Sequence, residues 1–112
     1  MHDTPKRSMW FHRFEQTVAK NLDDKSLSNK KLADFLKISE VHLNRRVKSE
    51  SGNTPAKYIQ DKRMAKAMKL IKSNPDLTEK NISDAVGFIK PSYFTKVFEK
   101  YFGRKPCDVV NE

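Results

Sequence analysis

Apolar residues step forward by three or four positions almost from one end of this chain to the other, the interval that keeps side chains on one side of an α-helix. Phe11, Phe14, Val18 and Leu22 set the first stripe, over about 9–22. Leu32, Phe35 and Leu36 follow Ser28, and Leu43 and Val47 follow Ser39; both serines are favourable N-caps. SGNTP at 51–55 breaks the pattern, with Thr54 as a cap and Pro55 at the first helical position. The long helix beyond it carries Tyr58, Ile59, Met64, Ala67, Met68, Leu70 and Ile71 inward as far as about Lys72, where SNPD stops it. Thr78 caps the next helix, with Ile82, Ala85 and Val86 inward. Gly87 supplies a left-handed turn, and Pro91 opens a helix with Phe94, Phe98 and Phe102 at every fourth position. A short helix follows Pro106. No stretch joins strand alternation to turn chemistry, so the expected class is all-α with about seven helices. Residues 1–8, MHDTPKRS, lack periodicity and read as a flexible arm.

The chain matches itself at an offset of about 50 residues. LADFLKISEVHLNRRVKSESG at 32–52 lies over ISDAVGFIKPSYFTKVFEKYFG at 82–103, pairing Leu36 with Val86, Ile38 with Phe88, Leu43 with Phe94 and Val47 with Phe98. Each copy is a short helix, a tight turn and a longer helix, which is the helix-turn-helix unit. The expected organisation is a first helix-turn-helix subdomain over 9–52, a linker helix over 53–73 and a second subdomain over 74–112. A linker of about 18 residues spans about 27 Å, close to the roughly 34 Å between adjacent major grooves on one face of a duplex.

Charge narrows the function. The net charge is +9 on 112 residues. Residues 28–52 hold six Lys/Arg against three Asp/Glu, residues 53–75 hold six against one, and residues 76–103 hold four of each. A basic excess fixed in the middle of the chain favours a polyanion through counterion release. No run approaches the length of a membrane span, and a single cysteine, Cys107, permits no intrachain disulfide, which fits a reducing cytosol. His2, His12 and His42 show no paired ligand spacing, no glycine-rich phosphate loop occurs, and Cys107 has no base nearby. No enzyme activity, cofactor or metal is therefore expected. The main alternative to DNA binding is a helical interaction module docking an acidic protein; RNA is disfavoured because Tyr93 is the one exposed aromatic platform.

Two faces could carry recognition. With Leu43 and Val47 inward, the helix at about 40–50 presents Val41, Asn44, Arg45 and Lys48 outward at helical spacing. Arginine can fork onto guanine O6/N7, asparagine can pair with adenine N6/N7, and an exposed apolar group can meet a thymine methyl. His42 and Arg46 lie toward the flank of that strip and, with Ser39 and Lys48, are expected at phosphates. The helix at 91–102 presents Ser92, Tyr93 and Lys96, with Lys90 at its start. A lysine at an N-cap faces the positive end of the helix dipole, unfavourable by about 0.3–1 kcal/mol, and a phosphate bound there reverses the sign. Lys57, Lys62, Lys66, Lys69 and Lys72 read as the solvated stripe of an amphipathic helix in preference to a DNA or RNA polymerase contact.

VGF, IK and PSYFTKVFEKYFG at 86–103 resemble, almost position for position, the second helix-turn-helix signature of the AraC/XylS family of bacterial transcription regulators. LADFLKIS, HLNRRVK and SGNTPAKYI resemble pieces of that family's first unit, and Arg63, Ala67, Leu70 and Ile71 pieces of its linker helix. The likeness covers about 9–110. It implies a cytoplasmic, seven-helix domain that contacts two successive major-groove segments and regulates transcription. The family's base-reading positions fall on Val41, Asn44 and Arg45, and its contacts in the second unit on Ser92 and Lys96, with Tyr93 beside them. It also brings in RNA polymerase, and a sensory or dimerisation domain outside this chain, as candidate partners. Lys37 stands where the family's turn usually has glycine, Ser83 where it has alanine, and Lys90 where it has Asp or Ser.

Overall fold

The computed structural model describes residues 8–110, so the arm expected at 1–8 lies outside the described residues apart from Ser8. Among the described residues there are seven helices and no strand: α1 (Met9–Lys20), α2 (Asn29–Leu36), α3 (Glu40–Ser51), α4 (Pro55–Ser73), α5 (Glu79–Ala85), α6 (Pro91–Phe102) and α7 (Pro106–Val110). Two units divide them, one comprising α1 to α3 with the first turn of α4 as far as Ile59, the other comprising Leu22–Ser26 and everything from Gln60 onward.

In the first unit the helix starts follow from side-chain caps. The hydroxyls of Ser28 and Ser39 accept from the backbone N–H groups of Lys31 and His42, and Thr54 accepts from Lys57 N at 3.2 Å. Ser8 does the same for Phe11, so it begins α1 and is not part of an arm. The core is Phe11, Phe14, Val18, Leu32, Ala33, Leu36, Leu43, Val47, Tyr58 and Ile59. Tyr58 closes it, its ring 5.0 Å from Phe14 and 5.9 Å edge-on from Phe11, its hydroxyl donating to Glu15 Oε2 at 3.3 Å. Phe35 does not join this core. It is 48% exposed, because α2 already buries Leu32, Ala33 and Leu36.

A network ties α1 to α3. Ser8 donates its hydroxyl to the Glu50 carboxylate at 2.7 Å and its N–H at 3.1 Å. Arg46 lies across the Trp10 ring, 4.7 Å from its centroid, with its Nε 3.6 Å from the Glu50 carboxylate. Burial alone would raise the Glu50 pKa, but the two hydrogen bonds from Ser8, helped by Arg46, outweigh it and hold the carboxyl below its ordinary value.

The second unit packs Met64, Ala67 and Ile71 of α4 against Ile82, Val86, Phe88, Phe94, Val97, Phe98 and Val109. Helix α4 is thus no bare spacer: its buried positions serve one core up to Ile59 and the other from Met64. Leu22, expected on the first helix, lies two residues past the end of α1 and belongs here. Arg63 donates from Nε to Leu22 O at 3.1 Å and from a terminal nitrogen to Asp24 O at 3.0 Å, fastening that segment. Lys66 leaves the expected solvated stripe and donates to Ala85 O at 3.1 Å, satisfying a carbonyl at the end of α5.

Both helix-turn-helix turns close by one hydrogen-bond pattern. Ile38 N reaches Ala33 O and Phe88 N reaches Ser83 O, each at 3.0 Å, with Lys37 and Gly87 in the left-handed position. Lys37 is exposed and accepts the backbone strain of φ 60°, about 1–2 kcal/mol. Gly87 has no such choice, since a Cβ there would lie 2.4 Å from Leu22 O and 2.8 Å from an Arg63 nitrogen.

Gly87→Ala is accordingly expected to cost at least about 1–2 kcal/mol more in urea unfolding than Gly103→Ala, which faces open space; equal losses would contradict the crowding. For Glu50, whose folded pKa is depressed, the stabilisation is full above its ordinary value of 4.5 and is lost as pH falls through the lowered one. The stability gap between the native protein and Glu50→Gln should narrow on acidification from pH 6 to pH 3. A gap that stays constant would show the carboxylate charge to be idle.

Candidate nucleic-acid interface

Burial of Leu43 and Val47, both fully shielded, turns the opposite side of α3 to solvent. Val41 is 67% exposed there, and Arg45, Lys48, His42 and Ser39 are exposed too. Asn44 is half-buried, and its amide nitrogen donates to Glu40 O at 3.0 Å, so one donor already has a partner. Ser39 holds the N-cap, leaving its hydroxyl proton to donate outward. Glu40 in the first turn complements the dipole and places a negative charge at the helix start. Arg46, expected at a phosphate, turns toward α1, where Trp10 and Glu50 hold its guanidinium. Sequence periodicity could not find this seat, because Trp10 meets Arg46 only once α1 and α3 are packed.

In the second unit Phe94, Val97 and Phe98 are buried and Ser92, Tyr93 and Lys96 stand on the outside of α6. Tyr93 is 58% exposed, with one side of its ring 5.8 Å from Phe88. Lys90 is the N-cap residue, makes no side-chain cap, and precedes Pro91, and the first turn of α6 has no acidic residue. The start of α6 therefore presents positive charge where that of α3 presents negative. Thr95 bonds the Glu79 carboxylate and Pro91 O, joining α6 to α5. Beside α6 runs an open groove of about 530 Å³ lined by Gln60, Tyr93, Lys96, Val97, Lys100 and Tyr101. Lys100 and Tyr101 escaped the sequence reading, although Lys100 lies one helical turn beyond Lys96.

The exposed strips on α3 and α6 suit a polyanion: cations, hydroxyls and amides on helices whose opposite faces are locked in cores. Among the described residues, no group of three His, Cys, Asp or Glu side chains is placed to hold a metal ion, and no helix is long and apolar enough to cross a membrane.

Residues 32–111 match the model of a helix-turn-helix domain family. The chain is 33% identical over 93 residues to the transcriptional regulatory protein YesN of Bacillus subtilis, a match covering 81% of this chain and 25% of that protein. This chain therefore spans about a quarter of that relative's length. The C-terminal domain of AraT, a response regulator from Geobacillus stearothermophilus, superposes with a TM-score of 0.89 at 29% identity, covering 95% of this chain and 87% of that one. The DNA-binding domain of the transcription factor AdpA, solved with a target DNA, shares the fold at a TM-score of 0.84 and 19% identity, covering 93% and 92% of the two chains. With the duplicated units and their shared turn geometry, these matches place the chain in the helix-turn-helix family of AraC-type DNA-binding domains.

Proposed function

We propose that this domain regulates transcription by reading double-stranded DNA with α3 and α6 in successive major-groove segments. The observation that carries the reading is the pairing, in each copy, of a fully buried apolar stripe with an exposed strip bearing cations and hydrogen-bonding groups. The 19 residues of α4 span about 28 Å, of the order of one duplex turn. Val41, Asn44, Arg45, Ser92 and Lys96 are the base-reading residues of this proposal. Ser39, His42, Lys48, Lys90 and Tyr93 meet phosphates, while Arg46 supports α3 from its seat on Trp10. The domain performs no chemistry on its ligand and works in the cytoplasm, where duplex DNA is its partner.

The two units divide the work. Three side-chain types with different base preferences crowd the strip on α3, whereas α6 offers a short, mild face and residues 76–103 are charge-neutral. The first unit then supplies most base discrimination. An acidic-protein docking module remains the rival reading, and it predicts no preference among duplex sequences.

Selection from a random duplex library tests the proposal. Recovery of a defined motif supports it, and recovery of none overturns it. On the recovered site, Arg45→Ala should cost about 1–3 kcal/mol and relax one base position, and Lys96→Ala should cost less; the reverse order would refute the division of labour. Lys90→Ala should lower the salt slope of affinity by about one unit with base preference intact. An unchanged slope would remove the phosphate from the start of α6.

A further inference from the structure

The groove beside α6 has a one-sided chemistry. Two lysines, two tyrosines and one glutamine line it with a single valine, and among the described residues no Asp or Glu is part of that lining. Its donors suit an anion along their length. The helix itself explains why they gather there. Stepping about 100° per residue, and taking buried Phe94 and Phe98 as inward, Lys96 points directly outward. Lys100 and Tyr93 then fall on one flank of α6, and Thr95 and Glu99 on the other. The second flank is acidic, since Glu79 also reaches it through Thr95.

An α-helix with its side chains is about 10–12 Å across, and the major groove of B-DNA is about 12 Å wide. A helix seated by its Ser92–Lys96 face therefore brings each flank to one of the two phosphate walls. We infer that the groove formed by Gln60, Tyr93, Lys96, Lys100 and Tyr101 receives the sugar-phosphate backbone of one strand, with Lys100 as its main cationic contact. Glu99 keeps the opposite wall at a distance, so α6 leans toward one strand. This rests on the reading of α6 as a DNA-facing helix. A phosphodiester backbone is favoured over an acidic peptide because Tyr93 and Lys96 belong both to the groove and to the outward face, making the two surfaces continuous.

The test compares native protein, Lys100→Gln and, as a control on the solvated side of α4, Lys72→Gln on a selected duplex between 50 and 200 mM salt. Lys100 is exposed, so its replacement should leave thermal unfolding unchanged. Loss of one phosphate contact makes the fall in affinity over that range about 3.5-fold smaller, with the preferred sequence retained and the control unaltered. Equal salt slopes for native protein and Lys100→Gln would overturn the inference while leaving the functional reading standing. So would equal shifts in Lys100→Gln and Lys72→Gln, which would show a general charge effect. Loss of binding to a poly-glutamate peptide in Lys100→Gln, with DNA binding untouched, would assign the groove to an acidic protein instead and overturn it as well. Absence of any sequence preference in the native protein would bring down the functional reading and this inference together.

Discussion

Everything this domain presents to a partner depends on the burial of two pairs of side chains, Leu43 with Val47 and Phe94 with Phe98. All four are fully shielded from solvent. One turn apart, each pair fixes the rotation of its helix about its own axis, because turning either helix would return apolar surface to water at about 25 cal/mol per Å². The direction of Arg45 or Lys96 is therefore set on the far side of the helix, inside the core. Rigid presentation matters because ordering flexible side chains on binding costs affinity.

Much of this architecture was legible because helix starts and turns are local chemistry. Ser28, Ser39, Thr54 and Thr78 announced themselves as caps, and each accepts the bond its position requires. The turn was legible through duplication: Lys37 and Gly87 share a left-handed backbone. What periodicity could not supply was the destination of side chains whose partners are distant in sequence. Phe35 sits at core spacing yet stays exposed, since three neighbours already fill the inner face of a helix of eight residues. Lys66 looked like a surface cation and instead donates to the backbone carbonyl of Ala85, and Arg63 donates to those of Leu22 and Asp24. Arg46 lies one position from Arg45 and faces another way, because Trp10 and Glu50 offer its guanidinium a stacked and paired seat. Long side chains go where tertiary partners satisfy them, and a single sequence does not reveal those partners.

The two copies share a backbone pattern and differ in electrostatics. Helix α3 begins with a serine cap and Glu40, a stable start without an anion; α6 begins with an uncapped Lys90. Without an anion the first arrangement is satisfied and the second keeps positive charge at its helix start. The Ser8–Glu50 bonds add a feature particular to the first unit, anchoring α3 to the residue at which α1 begins. Helix α3, whose exposed strip carries Val41, Asn44 and Arg45, is thus also the one held from behind by a charged network.

The exposed faces of α3 and α6, each oriented by its own buried pair, are proposed to engage one side of a duplex, and hydroxyl-radical footprinting of a selected site decides whether they do. Two protected tracts on the same face, centred about one helical turn or roughly ten base pairs apart, are the predicted result. A single tract, or two tracts on opposite faces of the duplex, would contradict it.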